Sequence, residues 1–217
     1  MKKFFTSVLL IAGFAINKTN AQQGFSVSVK GTPQFSFLQN KDDQNNSNYS
    51  TKATFNASFG LGAEYGFDTH FGVGIDALYS LQGQRYVLNN IEYNQKVNYI
   101  KVPVYFAYNS DASKPISFIG KIGPQVSFLT DANLTNKNGD KIQPSNKDRY
   151  NTVTVGGVAE AGAQYKIASQ MFLTTLVRFD YDFTNAEDDT FSGYTPGRAK
   201  TYNSTIGLEV GLKYMIN

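Results

Sequence analysis

The 217-residue sequence contains no cysteine, no tryptophan and only one histidine. The absence of cysteine excludes a disulfide framework, a thiolate metal site and a lipid-modified N-terminal cysteine. A single histidine supplies too few of the nitrogen ligands that transition metals prefer, so we expect no metal centre of that kind. The composition therefore excludes thiol-based function classes and argues against a transition-metal centre before any strand is assigned.

A strong net charge is also lacking once the first segment is set aside. The formal charge is +3 and the pI is about 8.9. Residues 1–21 contain Lys2, Lys3 and Lys18 and no acid, so the rest of the chain has 17 basic and 17 acidic residues. A balanced chain without a basic stripe does not have the electrostatic pattern of a nucleic-acid-binding protein. We therefore expect no nucleic-acid partner.

Residues 1–21 have the features of a cleavable secretory signal. Two lysines precede the apolar run Phe4–Ile16, and Thr19 and Ala21 stand at the minus-three and minus-one positions of a cleavage site. The alternative is a membrane anchor, but a spanning helix needs roughly 20 apolar residues, more than this run offers. We expect residues 1–21 to be a signal peptide and residues 22–217 to form one domain.

Long apolar runs are absent from the rest of the chain, where apolar and polar residues alternate. The stretch Thr205–Ile216 reads T-I-G-L-E-V-G-L-K-Y-M-I, with nearly every second residue apolar. This period of two predicts a β-strand with one apolar face and one polar face. If such a chain crosses a membrane, it must do so as a closed barrel, in which every backbone polar group is paired.

The same period recurs along the chain and predicts eight strands. Their approximate bounds are residues 24–38, 52–66, 71–80, 93–108, 116–130, 150–167, 171–183 and 205–216. Segments 39–51, 82–92, 131–149 and 187–200 are expected to be medium or long polar loops, and 67–70, 109–115 and 168–170 to be short turns. Pro33 and Pro103 fall inside predicted strands, where we expect a rim position or a local bulge.

The lengths of these connections alternate between long and short along the chain. Outer-membrane barrels have an even number of strands, short periplasmic turns and longer outer loops, whereas a soluble up-and-down barrel has no reason to show this alternation. We therefore predict an all-β fold, an eight-stranded antiparallel up-and-down transmembrane β-barrel with short periplasmic turns and long extracellular loops. Both termini then lie on the periplasmic side.

The alternation alone does not say which face of each strand points inward. A soluble lipocalin-like barrel would place the apolar face inside, whereas a membrane barrel places it against lipid. The interior of an eight-stranded barrel is just wide enough for side chains to fill, and the Phe, Tyr and Leu residues here would overfill it. We therefore expect the polar face inside and tyrosines near the strand ends to form interfacial girdles. These are Tyr65, Tyr79, Tyr108, Tyr165, Tyr181 and Tyr214.

This orientation brings charged residues of both signs into the barrel interior. They are Lys30, Lys101, Lys121, Arg178 and Lys213 together with Glu64, Asp76, Glu160, Asp180 and Glu209. Buried charges cost several kcal/mol each unless they are paired, and balanced signs are what a salt-bridged plug requires. The functional alternative is a proton or ion path. We favour the structural plug, because so narrow a barrel leaves no continuous aqueous lumen.

Three internal stretches and the chain end carry a resemblance to a known family. They are F-G-V-G-I-D-A-L-Y-S-L-Q-G-Q-R-Y at 71–86, N-Y-I-K-V-P-V-Y-F-A-Y at 98–108, G-P-Q-V-S-F-L at 123–129 and the V-G-L-K-Y ending. The chain resembles the outer-membrane protein beta-barrel domain family, often called PorT-like or porin-family proteins. The resemblance implies an eight-stranded outer-membrane barrel without catalytic residues. The chain departs from such barrels by ending M-I-N, where they usually end in an aromatic that the insertion machinery reads.

Motifs that would carry chemistry are weak in this sequence. His70 lies in a predicted short turn on the periplasmic side, whereas outer-membrane barrel hydrolases and acyltransferases use His near the outer rim. The stretch N-K-N-G-D at 136–140 lacks the downstream acid of a calcium loop. No helix follows the glycines of G-V-G at 72–74, so they do not form a phosphate loop. We expect no catalytic residue, no metal site and no cofactor.

The predicted loops contain aromatic residues among polar ones, which is common at binding surfaces. They are Tyr49, Tyr86, Tyr93, Phe191, Tyr194 and Tyr202. These side chains are candidates for contact with a ligand or partner. The alternative is that they belong to the membrane girdle or pack on one another, and the sequence does not favour one reading over the other.

We therefore expect a non-enzymatic integral protein of the bacterial outer membrane, exported through its signal peptide. Its expected partners are outer-membrane lipids, the barrel-insertion machinery and an envelope or surface protein bound through the loops. The leading hypothesis is a role in envelope structure or surface interaction. The alternatives are an accessory in protein secretion or envelope assembly, a small-solute pore, and a soluble periplasmic barrel with its apolar face turned inward.

Overall fold

The computed structural model describes residues 24–47, 49–88, 91–111, 113–143 and 145–216. The predicted signal peptide, residues 1–21, lies outside the described residues and stays a prediction. Among the described residues, no helix has the length and apolar character needed to cross a membrane.

Nine strands and two short helical segments make up the described chain. The strands are β1 (Gly24–Asn40), β2 (Tyr49–Gly66), β3 (Phe71–Leu88), β4 (Ile91–Asn109), β5 (Ile116–Asn136), β6 (Lys141–Gln143), β7 (Val153–Lys166), β8 (Met171–Asp182) and β9 (Thr201–Ile216). The helix α1 spans Lys41–Asn45, and one 3₁₀ turn spans Lys147–Arg149.

Eight of these strands form one closed antiparallel ring. Strand β1 pairs with both β2 and β9, and β4 pairs with β5, so the order β4-β3-β2-β1-β9-β8-β7-β5 has no free edge. The short β6 adds to β5 outside this ring. The predicted eight-stranded up-and-down barrel is therefore confirmed. We call the end with the β2–β3, β4–β5 and β7–β8 connections the turn end, and the opposite end the loop end.

The strands extend further toward the loop end than the sequence pattern predicts. Segment 82–92 was expected to be a loop, but β3 continues to Leu88 and β4 begins at Ile91. Segment 39–51 likewise contains the end of β1, the helix α1 and the start of β2. Both loop predictions were wrong for one physical reason. The alternation of apolar and polar residues identifies a strand only where one face of the strand is apolar. In the strand segments nearest the loop end, both faces are polar, so the alternation is lost.

Neither Pro33 nor Pro103 produces a bulge, which corrects a second expectation. The ladder between β1 and β9 is interrupted around Pro33, yet Gly31 pairs with Val210 and Gln34 with Gly207 in the same register. A proline removes one donor, and in an antiparallel pair that donor faces only one neighbour. The register shifts occur elsewhere, between Ala53 and Ser58 in β2–β3 and between Asn98 and Tyr99 in β4–β5.

The apolar face of each strand points outward. Leu61 and Ile122 are 63% and 65% exposed, whereas Lys101 and Arg178 are each 1% exposed. This arrangement is the reverse of a soluble barrel and is that of a membrane barrel. Of the six girdle tyrosines, four lie exposed near the turn end: Tyr65, Tyr108, Tyr165 and Tyr214. Tyr181 lies near the loop end of β8, and Tyr79 packs on Phe59 further along the barrel wall.

Candidate functional site

All ten charged side chains singled out from the strands lie on the inner face of the barrel. Eight are buried, while Glu64 and Lys213 keep 13% and 12% of their side-chain area exposed near the turn end. Their positions follow from the period of two, which sends every second residue of a closed strand into the lumen.

Arg178 lies at the centre of this group. Its guanidinium contacts Glu160 closely, lies 3.5 Å from Glu209 and from Asp180, and donates to Gln125 Oε1 at 3.0 Å. One cation thus faces three carboxylates from three different strands. An arrangement of this kind crosslinks neighbouring strands on one side of the barrel through charge-assisted hydrogen bonds.

The four lysines complete the network around the arginine. Lys30 Nζ lies 2.6 Å from Asp76 and 3.4 Å from Glu209. Lys121 Nζ lies 3.7 Å from Glu160 and 3.9 Å from Glu64. Lys213 Nζ lies 2.5 Å from Glu64, and Lys101 contacts Asp180. Each of the ten residues therefore contacts at least one partner of opposite sign.

Tyr105 belongs to this network, although the sequence analysis did not single it out. Its ring lies 5.3 Å from the ammonium of Lys30 and 4.7 Å from that of Lys121, and its hydroxyl donates to Asp76 Oδ1 at 3.2 Å. Cations over a ring face are stabilised by the ring quadrupole, more strongly where water is excluded. The inward register of Tyr105, two residues after Pro103, is the signal that would have identified it.

Asp182 is a further interior acid that the sequence analysis missed. It is 0% exposed and accepts hydrogen bonds from Thr154 at 2.8 Å and Asn203 at 2.9 Å, and Asn203 also donates to Tyr99. Its alternation with Arg178 and Asp180 along β8 would have predicted this position. Neutral donors rather than a cation therefore satisfy one oxygen of this carboxylate, Oδ2, while the buried Oδ1 has no hydrogen-bond partner.

Three carboxylates of the network have the spacing of a cation site. Oxygen atoms of Asp76, Glu160 and Glu209 lie within 4.8 Å of one another. However, three cations, Lys30, Lys121 and Arg178, already contact these three carboxylates and balance their charge. The three acids are thus already paired with side-chain cations and form part of an ion-pair network.

An apolar layer lies between the network and the loop end. It consists of Leu38, Val97, Tyr99, Leu129, Ala132 and Tyr150, all buried. At the turn end, Ile119 and Phe172 are each 1% exposed inside the barrel. From the turn end to the loop end, the lumen is thus filled by apolar side chains, then by the charged network and then by the second apolar layer.

Above the apolar layer, the loop end opens into a cavity of about 480 Å³. Four of the six candidate loop aromatics line it: Tyr86, Tyr93, Phe191 and Tyr194. Tyr202 lies elsewhere, on the outer face of β9, where it stacks on Tyr181 at 5.7 Å between ring centroids. Tyr49 begins β2 opposite Leu88, and its side chain lies outside the described residues. We call the cavity that opens at the loop end the loop-end cavity.

A three-residue clasp holds the edge of the loop-end cavity. Arg198 contacts Asp43 of α1 at 2.8 Å and Glu187 at 2.8 Å. Burial alone would lower the pKa of Arg198, but hydrogen bonds to Glu187 and Asp43 outweigh it and raise the pKa above its usual value. The Arg198 guanidinium therefore stays charged, and its contacts tie the first loop to the last. Sequence reasoning missed it because Arg198 and Asp43 are 155 residues apart and lie in loops without periodicity.

The only histidine lies in the β2–β3 connection at the turn end. His70 is exposed, its Nδ1 is 2.9 Å from the Thr69 hydroxyl, and Asp68 lies 3.9 Å away. Hydrogen bonds from Thr69 and from the backbone of His70 lower the pKa of Asp68. These contacts join consecutive residues of one solvent-exposed turn, and the lining of the loop-end cavity does not include them.

Comparisons with known proteins agree with the β-barrel architecture. A family model described as "Outer membrane protein beta-barrel domain" matches residues 20–188. The structure of outer membrane protein AlkL in lipid bilayers is similar, with a TM-score of 0.50 and 12% identity, covering 94% of this chain and 96% of that one.

Two further structures resemble the chain more distantly. OprG from Pseudomonas aeruginosa has a TM-score of 0.49 and 11% identity, covering 90% of this chain and 98% of that one. Ail, the attachment invasion locus protein of Yersinia pestis, has a TM-score of 0.46 and 13% identity, covering 88% and 99%. No curated protein sequence matches the chain. At such identities the similarity to solved structures establishes the fold alone.

Proposed function

Because the chain belongs to the outer membrane protein beta-barrel domain family, and its apolar face lies against lipid in the bacterial outer membrane, we propose a non-enzymatic, solute-impermeable barrel. Its function is to interact with molecules at the cell surface through the extracellular loops, which are the loop-end segments. The observation that carries this proposal is the filled lumen. Because the lumen is closed, a surface molecule can bind in the loop-end cavity but cannot pass through the barrel.

The charged network supports closure of the lumen, because opening the lumen would have to break buried ion pairs. Water or a solute entering the lumen has to separate Arg178 from Glu160 and Glu209, or Lys30 from Asp76. Breaking a buried pair so that one charge is left uncompensated costs about 3–5 kcal/mol. The contacts on several strands have to break together, so thermal opening of the lumen is rare. We assign the ten-residue network this structural role.

Conductance measurements test the closure directly. The purified barrel is inserted into planar bilayers and into liposomes loaded with a small sugar, beside a porin as positive control. We expect no steady single-channel current and no swelling, because the network and both apolar layers block the path. A reproducible conductance that scales with the amount of inserted wild-type barrel would contradict the proposal and favour the small-solute pore.

The non-enzymatic character rests on the position of the only histidine. His70 belongs to an exposed periplasmic turn, far from the cavity on the opposite side of the membrane. We expect no hydrolysis of p-nitrophenyl esters or of phospholipid vesicles above the rate of empty micelles. Hydrolysis that disappears in a His70→Ala variant would instead show a catalytic role for this turn.

Two partners belong to this proposal beyond the membrane lipids. The barrel-insertion machinery is expected to receive the last strand, β9, whose outward face carries Ile206, Leu208 and Leu212. A surface or envelope molecule is expected at the loops. Cross-linking in cells with the wild type and with a chain lacking residues 201–217 tests the first of these.

A further inference from the structure

We propose that the loop-end cavity is a binding site for a neutral saccharide, of which one or two pyranose rings enter between its aromatic walls. This inference deepens the proposed function and rests on it, since it names the class of surface molecule that the loops recognise. It depends on four features of the cavity, namely its walls, its floor, its charge and its size.

The aromatic walls come from opposite sides of the barrel. In the ring of eight strands, β3 lies opposite β8 and β4 lies opposite β9. Tyr86 and Tyr93 are directly paired across β3 and β4, while Phe191 and Tyr194 belong to the β8–β9 loop. The space between them is therefore a slot with aromatic side chains on both sides. A pyranose ring has two faces of C–H groups, and aromatic faces attract such positively polarised hydrogens.

The floor of the slot contains one polar side chain, Gln95, and is closed beneath. Gln95 and Asn146 exchange two hydrogen bonds, of 2.7 and 3.2 Å, and Gln95 also donates to Asn133. Tyr150 and Leu134 complete the floor, and the apolar layer with Tyr99 and Val97 lies below it. A molecule that enters the cavity cannot continue into the lumen, so the geometry suits retention rather than passage.

The charges around the slot largely neutralise one another. Its lining contains three acidic and two basic residues, and the clasp already joins Arg198 to Asp43 and Glu187. Arg149 and Asp188 at the rim contribute one charge of each sign. The cavity therefore lacks the electrostatic field of a single sign that would attract a polyanion or a polycation. Hydroxyl groups, which donate and accept, match a rim of mixed donors and acceptors.

The size of the cavity favours a small ligand. Its volume of about 480 Å³ lies within the range of roughly 300–1,000 Å³ typical of small-molecule sites. Such a volume admits one or two sugar rings, while a longer glycan would continue into solvent above the membrane. Tyrosine side chains supply rigid contact area at little cost in conformational entropy, which suits a weakly binding polar ligand.

Binding is measured with maltose, lactose and chitobiose as probes and the barrel in a detergent without a sugar headgroup, because a glycoside detergent would compete. Saturation-transfer NMR and calorimetry report the affinity for each sugar. We expect at least one disaccharide to bind saturably. Phe191→Ala and Tyr194→Ala should each weaken this binding roughly tenfold or more by removing one wall.

Two variants serve as matched controls. Tyr194→Phe keeps the ring and loses only the hydroxyl that donates to the Arg198 carbonyl at 3.1 Å, so it should retain binding. Tyr202→Ala removes an aromatic outside the cavity and should bind like the wild type. Heat-modifiable gel migration identifies variants that have not folded, which keeps a loss of fold distinct from a loss of binding.

The proposal is overturned if none of the three sugars binds saturably to the wild type, or if Tyr194→Ala and Phe191→Ala bind as tightly as Tyr202→Ala. Saturable binding of an oligolysine or a tyrosine-containing peptide in place of all three sugars would also overturn it. None of these results affects the closed barrel itself. A different observation, steady conductance through the wild-type protein, would contradict the proposed function.

Discussion

The ring of Tyr105 lies against Gly74 on the neighbouring strand, within 2.5 Å of the point that a Cβ atom on this glycine would occupy. The two residues pair directly in the β3–β4 ladder. The missing side chain of Gly74 lets the ring lie along the wall, where it meets Lys30 and Lys121. The space beside Gly74 thus lets the Tyr105 ring lie where it contacts both lysines of the ion network.

Gly74→Val should therefore destabilise the barrel although it adds an apolar group. The new side chain displaces the Tyr105 ring from both ammonium groups, and overpacking of this kind costs about 1–3 kcal/mol. Urea unfolding in detergent micelles, followed by gel migration, measures the change. Gly31→Ala is the control, because a Cβ on Gly31 meets no atom within 4 Å. Equal unfolding midpoints for the two variants would contradict the role assigned to Gly74.

Arg178→Ala and Glu160→Ala should each lower the free energy of unfolding by about 3–5 kcal/mol, since each leaves one uncompensated charge in the buried network. Lys114→Ala removes a cation from an exposed turn pair and should change it by less than about 0.5 kcal/mol. Denaturation midpoints for both lumen variants that match the wild type would exclude a buried structural network.

Arg198→Ala should loosen the outer loops without opening the barrel. The substitution removes the cation shared by Asp43 and Glu187, and the loss of such hydrogen bonds costs about 1–3 kcal/mol. We expect protease added to intact cells to cut within residues 187–200 roughly tenfold faster or more.

Two further variants sharpen this experiment. Arg198→Lys should fall between wild type and Arg198→Ala, because an ammonium cannot bind two carboxylates with the same planar geometry. Arg85→Ala removes a half-exposed arginine whose pair with Glu92 is 4.0 Å long and should leave the cleavage rate unchanged. A cleavage rate in Arg198→Ala equal to that of Arg85→Ala would show that the clasp does not order the loops.

Val177→Arg tests which face meets lipid. Val177 is 54% exposed in the middle of β8, where an arginine facing the bilayer midplane costs about 2–4 kcal/mol. Ile142→Arg is the matched control, because Ile142 is 47% exposed in β6 above the barrel wall and meets water. We expect poor assembly and a lower unfolding midpoint only for Val177→Arg. Equal midpoints for both would mean that the apolar face is not embedded in the membrane.

The sequence alone was sufficient for the eight strands of the ring, the closed architecture and the direction of the side chains within the predicted strands. Lys101 and Leu61 could be assigned to opposite faces because a strand has a period of two and the narrow interior cannot hold the large apolar residues. The same alternation, applied one step further along β8, would have included Asp182. These are local properties, and each strand carries them independently of its neighbours.

Only the tertiary structure decided which of these residues meet. The partners of Arg178 depend on the stagger between strands, which no strand encodes by itself, and Tyr105 becomes a hub only because Gly74 stands beside it. The strand ends beyond the membrane band, the Arg198 clasp and the cavity between Tyr86 and Phe191 have no periodic pattern. They arise when closure of the barrel brings loops from distant parts of the chain to one end, so physical proximity rather than sequence spacing determines them.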